Sequence, residues 1–335
     1  MNDTAAPHRF VKADVTAIAI GRNEGDRLTR CLASLLPQVR HVVFVDSGST
    51  DGSAERARAM GAEVVALDMS RPFTAARARN AGLAHLAATQ GQQSEFVQFV
   101  DGDCEVDPNW IPTALTALAA EPGLAVVAGR RRERFPEQSV YNRLIDAEWD
   151  TPVGPARAVG GDLLARSAAI AEVRGYDPTL IAGEEPEMCL RLARAGWGIR
   201  RIDAEMTLHD AAMTKLSQWW KRSRRAGHAF AEVSWRYRDG PEGFWKRETM
   251  RPLVWAVALP LVVLVLALSV SPWALLGLLA YPAQIARMAL RDPLRQDRWP
   301  RAFFNMLGKF SEAYGIAEFH IRRLMGRRSG LIEYK

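Results

Sequence analysis

Short apolar runs alternate with amphipathic stretches from Val15 to Ala128, and this alternation narrows the choice of fold more than any other feature. Val15–Ile20, His41–Val45, Glu63–Leu67, Phe96–Val100 and Leu124–Ala128 read as strands. Between them, Asp26–Leu36, Asp51–Met60, Thr74–Ala88 and Pro108–Ala120 read as helices; the first carries Leu28, Leu32, Leu35 and Leu36 at helical spacing. Strand–helix alternation of this kind predicts an α/β fold: a Rossmann-like, mostly parallel sheet with helices on both faces. The strands are apolar almost throughout, as burial on both faces requires.

The pattern loosens after Phe135, where turn residues gather at Thr151–Pro155 and Gly160–Asp162. A compact helix is expected over Pro186–Ala195, with Glu185 as N-cap, Pro186 at the first position and Gly196 at the stop. A basic helix follows from Thr214 to Tyr237.

The stretch Pro252–Ala286 is almost free of charge and breaks at Ser271-Pro272 into Leu253–Val270 and Trp273–Ala286. The first arm is long enough to span a bilayer. Lys246, Arg247 and Arg251 precede the stretch, and Arg287, Arg291, Arg295, Arg298 and Arg301 follow it. The positive-inside rule puts both flanks on the cytosolic side, which predicts a transmembrane or re-entrant hairpin. The remainder, with Phe303, Phe304, Met306, Leu307, Phe310, Ile316, Phe319 and Leu324 among basic residues, predicts an amphipathic helix on the membrane surface. The expected division is therefore a tail over 1–14, an α/β domain over 15–213, basic interfacial helices over 214–251, the hairpin over 252–290 and an amphipathic cytosolic tail over 291–335.

With 44 Lys and Arg against 38 Asp and Glu the net charge is +6, which favours anionic partners such as phosphates, nucleotides and acidic lipid. The basic residues flank the apolar stretch rather than striping the α/β part, so nucleic acid is not an expected partner. Cys31, Cys104 and Cys189 show no CxxC or CxH spacing, which argues against a disulfide framework or zinc site and for a reducing compartment. The N-terminus lacks the apolar run of a signal peptide, so the α/β part is expected in the cytosol, at the cytoplasmic membrane.

Ligands of an open parallel sheet gather outside the carboxyl ends of its strands. Here the first strand runs into Gly21-Arg22-Asn23-Glu24, the second into Asp46-Ser47-Gly48-Ser49-Thr50-Asp51-Gly52 and the fourth into Asp101-Gly102-Asp103. Two carboxylates on a tight glycine turn suit a hard divalent cation, Mn²⁺ or Mg²⁺, shared with phosphate oxygens.

The segments VTAIAIGRNE, VVFVDSGSTDGS, ARARNAGLA, FVDGD and GEEPEMCLRL, in that order, resemble the family 2 glycosyltransferases of the GT-A fold. The resemblance runs from Val15 to His209 and implies an inverting transfer from a nucleotide-sugar, with a metal bridging the diphosphate. It implies that Asp46 accepts a hydrogen bond from the nucleotide base, that Asn23 and Glu24 line the nucleoside pocket, and that Arg79 contacts base or phosphate. Asp101 is expected at the ribose or the metal, Asp103 on the metal, and His209 as a further metal ligand. Glu184-Glu185 stands where the family has Glu-Asp, so Glu185 maps to the general base; its extra methylene moves the carboxylate about one bond further out or passes the role to Glu184.

Gln218, Arg222 and Arg225 fall on one helix face. Two roles are open to them: neutralising the leaving diphosphate, or lining an interfacial helix beside anionic lipid with Trp219 and Trp220 at headgroup level. QWWKR departs from the QxxRW motif of processive members, which points to a single transfer. Such a protein takes a nucleotide-sugar donor and, tethered beside a bilayer, a lipid-linked or envelope glycan acceptor. The rival readings are a nucleotidyltransferase, whose phosphate loop GRNEGDR resembles only faintly, and a non-catalytic membrane scaffold of the same fold.

Overall fold

The computed structural model describes residues 15–89, 94–294 and 296–326. The expected tail over 1–14, the flanking Arg295 and the last nine positions lie outside the described residues. The chain forms two compact units: residues up to 137, with 145–180 and 184–212, make the first; residues 138–144, 181–183 and 213 onward make the second.

In the first unit β1 (Val15–Gly21), α1 (Asp26–Leu35), β2 (His41–Asp46), α2 (Ser53–Ala59), β3 (Glu63–Ala66), α3 (Ala75–Ala88) and β4 (Phe96–Asp101) follow the expected alternation. Next come β5 (Cys104–Val106), α4 (Trp110–Ala120), β6 (Leu124–Glu133), α5 (Val140–Trp149), β7 (Gly154–Pro155), β8 (Leu163–Arg166), α6 (Ser167–Glu172), α7 (Glu184–Arg194) and β9 (Gly198–His209). α5 begins in residues of the second unit and ends in the first. The sheet order is β3-β2-β1-β4-β8-β6-β9-β5, with β7 against β9.

Each strand supplies both faces of the core. Ala17 and Ala19 join Leu28, Leu32, Phe44 and Trp110 on one side. Ile18 and Ile20 join Val43, Val45, Phe99 and Met188 on the other. A period of two with apolar residues in both phases is what a strand between two helix layers needs.

Parallel pairing sets the site's frame: Gly21 pairs with Asp46, and Ile20 with Asp101. The polar ends of β1, β2 and β4 therefore lie side by side. Beyond β4 the sheet is mixed. β8 runs antiparallel between β4 and β6, so β6 is not the next parallel neighbour of β4. β9 is parallel to β6 and antiparallel to β5.

α7 starts at Glu184, so Glu185 lies inside the first turn rather than at the N-cap. Pro186 is then the third helical residue, where its missing N–H is one of the four that have no partner within the helix.

The second unit contains α8 (Leu216–Arg236), α9 (Lys246–Leu253), α10 (Leu259–Ser269), α11 (Ala280–Arg291) and α12 (Arg298–Leu324). α12 is amphipathic as expected: Phe303, Phe310 and Leu324 are exposed, while its other apolar face turns inward. Its Met306, Ile316 and Phe319 are buried, and it packs closely on α8. A Cβ on Gly227 would strike the Glu312 carbonyl, and one on Gly315 the Arg224 carbonyl. Ser311 donates to the Trp220 carbonyl at 2.6 Å, and Arg224 pairs with Glu318 at 2.7 Å. Trp219 is also buried, edge-on to Phe304 at 5.1 Å, so it packs within the unit instead of reaching a headgroup layer.

The break at Ser271-Pro272 is where the sequence put it. One continuous helix covers Lys246–Ser269, its most apolar 18 residues averaging a hydropathy of 2.5, and a second covers Pro272–Arg291, with 1.2 over its most apolar 18. Both are long and apolar enough to cross a membrane, and only 11% and 6% of their apolar windows are buried. The first widens to a π-helical turn at Val254–Ala258, directly after Pro252. A proline inside a helix removes a hydrogen bond from the ladder, and a π turn is one way the backbone accommodates that.

Candidate active site at the carboxyl ends of the strands

The loops after β1 and β2 lock onto each other. Asn23 sits at φ 55°, in the left-handed region that asparagine tolerates. Its Oδ1 accepts from the Thr50 N–H at 2.8 Å, and its own N–H donates to Ser49 Oγ at 2.9 Å. Asp46, nearly buried, accepts from the Gly48 and Ser49 N–H groups at 3.2 and 3.1 Å. Glu24 pairs with Arg27 at 2.9 Å. Gly102 has to be small: a Cβ would come within 3.1 Å of the Ile20 carbonyl.

Arg79 organises the next layer. Its side chain is 2% exposed and donates to Asp101 Oδ1 at 2.9 Å, Glu185 Oε1 at 2.8 Å and Glu184 Oε1 at 3.2 Å. The sequence placed Arg79 against a base or phosphate; in the structure its guanidinium faces three carboxylates. Burial works against the charge, but Glu185 and Asp101 outweigh it and raise the pKa above the ordinary arginine value. Gly161 leaves room for this cluster, because a Cβ there would overlap the Arg79 guanidinium.

Asp101 is held from its other side as well. Arg131 reaches its Oδ2 at 3.3 Å and Asp162 at 3.4 Å. Asp162 in turn accepts from the Asp101 N–H at 3.1 Å and from Thr207 Oγ1 at 2.7 Å. Both oxygens of Asp101, expected at a ribose or a metal, thus carry arginine partners.

Asp103, Cys104 and His209 form a second, adjoining group. β5 pairs Cys104 with His209, and β6 pairs Glu133 with His209. Nε2 of His209 lies 3.2 Å from Asp103 Oδ2, and Nδ1 lies 3.9 Å from Glu133 Oε2. Trp149 meets the His209 ring edge-on at 4.8 Å, and Arg131 lies over the Trp149 ring at 4.7 Å.

Burial, reinforced by the Arg131 charge, lowers the pKa of His209 to about 3, so the imidazole is neutral. Burial also pushes the Cys104 thiol well above its usual value and raises Glu133. Glu185 is raised to about 7, chiefly by burial and then by the Glu184 charge, against the pull of Arg79. The Asp103 carboxylate suits Mn²⁺ or Mg²⁺, and a neutral imidazole beside it offers one nitrogen ligand.

The first unit therefore brings together Asp101, Asp103, His209, Arg79, Glu184 and Glu185. Asn23, Glu24 and Asp46 stand at the neighbouring strand ends. Arg222 and Arg225 belong to the second unit, on α8, where Arg225 donates to the Ile181 carbonyl at 2.9 Å. Gln218 closes the start of α8, its Oε1 accepting from the Thr214 and Lys215 N–H groups at 3.0 Å. Sequence reasoning missed Arg131, Asp162, Glu133, Thr207 and Trp149. The signals were present in the charged run GRRRERF beside an apolar strand and in the GGD turn, but neither names a partner without the topology.

The family model for glycosyl transferase family 2 matches residues 16–167. The chain carries a family 2 glycosyltransferase domain. The Pre-mycofactocin glycosyltransferase of Mycobacterium tuberculosis is 29% identical over 239 residues, 68% of this chain and 48% of that protein. A TPR repeat-containing protein of Synechococcus elongatus is 32% identical over 133 residues, 39% of this chain and 30% of that one. The chain thus spans about half the length of the first relative and less of the second. Among solved structures, a mannosyltransferase from Pyrobaculum calidifontis, in complex with GDP-Man and Mn²⁺, superposes with a TM-score of 0.63 at 22% identity. The match covers 93% of this chain and 89% of that one, which places the family 2 domain in the GT-A fold.

Proposed function

We propose that this protein is an inverting, divalent-metal-dependent glycosyltransferase. It moves a sugar from a nucleoside diphosphate donor to a lipid-linked or envelope glycan acceptor at the cytoplasmic membrane face. The observation that carries the reading is the Arg79 cluster, which holds Glu185 and Asp101 in one network beside Asp103 and His209.

Glu185 acts as general base. Its carboxylate takes the proton of the acceptor hydroxyl as that oxygen attacks the anomeric carbon and the nucleoside diphosphate departs from the opposite face. A pKa of about 7 suits this task, since the group is substantially ionised at neutral pH and basic enough to accept a proton. Glu184 shares Arg79 with it and keeps the pair in register. Arg79 serves as a positioning residue for these carboxylates rather than as a nucleoside contact. Asp46, Asn23 and Glu24 shape the nucleoside side of the crevice. Asp103 and His209 hold Mn²⁺ or Mg²⁺, with Asp101 alongside; the bound ion supplies charge for the diphosphate oxygens. Arg222 and Arg225, on α8 of the second unit, supply cations suited to anionic lipid. The apolar helices over 246–291 are long enough to cross a bilayer, which supports the reading of an acceptor resident there.

The test is thermal shift of the purified chain with nucleoside diphosphates, with and without Mn²⁺, followed by turnover of the matching labelled nucleotide-sugar. A bound donor product raises the midpoint by mass action. Release of nucleoside diphosphate supports transfer, whereas release of pyrophosphate supports a nucleotidyltransferase. Indifference to both nucleotide and chelator removes the proposal.

A further inference from the structure

We propose that Asp103, Cys104 and His209 together form a thiolate-containing site for a borderline-soft divalent ion of the Zn²⁺ class. This site overlaps the seat assigned above to Mn²⁺ or Mg²⁺. It rests on that reading only in sharing Asp103 and His209; the new ligand is the Cys104 sulfur.

The side chains come from two adjacent strands and the turn between β4 and β5. Cys104 and His209 are register partners, and Asp103 directly precedes Cys104. One ligand atom from each lies within 4.8 Å of the other two, and all three residues are buried. Tetrahedral Zn²⁺ with Zn–S bonds of about 2.3 Å and Zn–N bonds of about 2.0 Å holds its ligand atoms roughly 3.5 Å apart, so the three side chains close inward on the ion.

The surroundings point the same way. Nδ1 of His209 is buried without a hydrogen-bond partner. An ion on Nε2 would leave the ring proton on Nδ1, facing the Glu133 carboxylate at 3.9 Å, the carboxylate–histidine arrangement common behind metal ligands. On the other flank, Arg131 lies 3.3 Å from the Cys104 sulfur. Binding displaces the thiol proton to solvent, and the guanidinium is positioned to stabilise the thiolate so formed. Three protein ligands leave the fourth position of a tetrahedral ion open to water or a diphosphate oxygen. Thiolate and imidazole favour Zn²⁺ over Mn²⁺, and so does the general order of divalent affinities.

The experiment is a Co²⁺ titration of the full chain in detergent, read by absorption. The expected result is a thiolate-to-cobalt charge-transfer band that saturates at one ion per chain, bleaches with equimolar Zn²⁺, disappears in Cys104→Ser and persists in Cys31→Ser and Cys189→Ser. A band that survives in Cys104→Ser, or no band at saturating Co²⁺, overturns the proposal. If Cys104→Ser fails to fold, X-ray absorption of the Zn²⁺-loaded unmodified chain decides. One sulfur neighbour at about 2.3 Å supports the site, and oxygen and nitrogen alone end it. Where the band behaves as expected but Mn²⁺ supports no transfer, the proposed function fails and the thiolate site stands. Where Mn²⁺ supports transfer but the band is absent, the reverse holds.

Discussion

The two units handle polarity in opposite ways. The first buries charge: Arg79, Asp103, Arg130, Glu133, Glu184 and His209 all lie beneath its surface. The second leaves large apolar side chains outside, with Leu268 81% and Trp273 78% exposed. In water each arrangement alone is unfavourable. Buried ions lose hydration unless partners replace it, and wide apolar surfaces seek cover. The buried charges are shared in networks, with Arg79 alone facing Asp101, Glu184 and Glu185. Among the described residues only 11% and 6% of the two apolar windows are buried.

If that contrast is right, removing charge from the first unit should hurt far more than adding charge to its surface would. Glu185→Gln is expected to lower donor turnover by about 10²- to 10⁴-fold, the range of a lost general base, with little change in nucleoside diphosphate affinity by calorimetry. Arg79→Met leaves three carboxylates facing one another without their cation. It is expected to cost about 3–5 kcal/mol in denaturant unfolding. A loss under 1 kcal/mol would mean that the cluster does not hold the site together.

For the second unit the informative change is the reverse, putting charge on the apolar surface. Leu264, 52% exposed on α10, should tolerate arginine in detergent without a change in melting temperature. In vesicle flotation, Leu264→Arg should weaken membrane association by about 2.5–3.5 kcal/mol. Unchanged flotation would break the comparison. Gly315→Ala should cost about 1–3 kcal/mol, because the added methyl meets the Arg224 carbonyl across the α8–α12 contact.

A further effect is the pH dependence set by Glu185. Its pKa in the folded chain is raised from 4.5 to about 7, so the native state holds this proton more tightly than the unfolded chain does. The resulting stabilisation is fully present below about 4.5 and is lost as pH rises through about 7. Turnover moves the other way, rising through the same interval as the base ionises. Glu185→Gln should flatten the stability slope across that window, measured by melting temperature at fixed ionic strength.

How much of this was legible in the sequence follows from what each element buries. β1 to β4 were readable because both phases of each strand are apolar. The continuation of β6 through Arg130 to Glu133 was not, because a run of charge reads as loop. It is a strand because Arg130 finds Asp146 and Asp150, at 2.9 and 3.4 Å, on an element that sequence spacing does not bring near. β7 and β8, two and four residues long, are too short to show a period. Within the site, Asp101 and Asp103 were visible from their turn. The partners of Arg79 were not, since Glu184 and Glu185 follow it by 105 and 106 positions. The packing of α12 on α8 was not legible, because a helix packing on a helix and one lying on lipid show the same amphipathic period.

The placement of β8 between β4 and β6 also bears on how the chain is made. While the ribosome extends it, β1 to β4 can pair as they emerge, but the middle of the sheet waits for Leu163–Arg166. β5 waits longer still, until Thr207–His209 arrives about a hundred residues later. A nascent product halted at residue 167 would expose the edge of β6 and lack both Glu185 and His209. The late strand that completes the hydrogen-bonded sheet also delivers His209, so the sheet and the Asp103–His209 pair finish together.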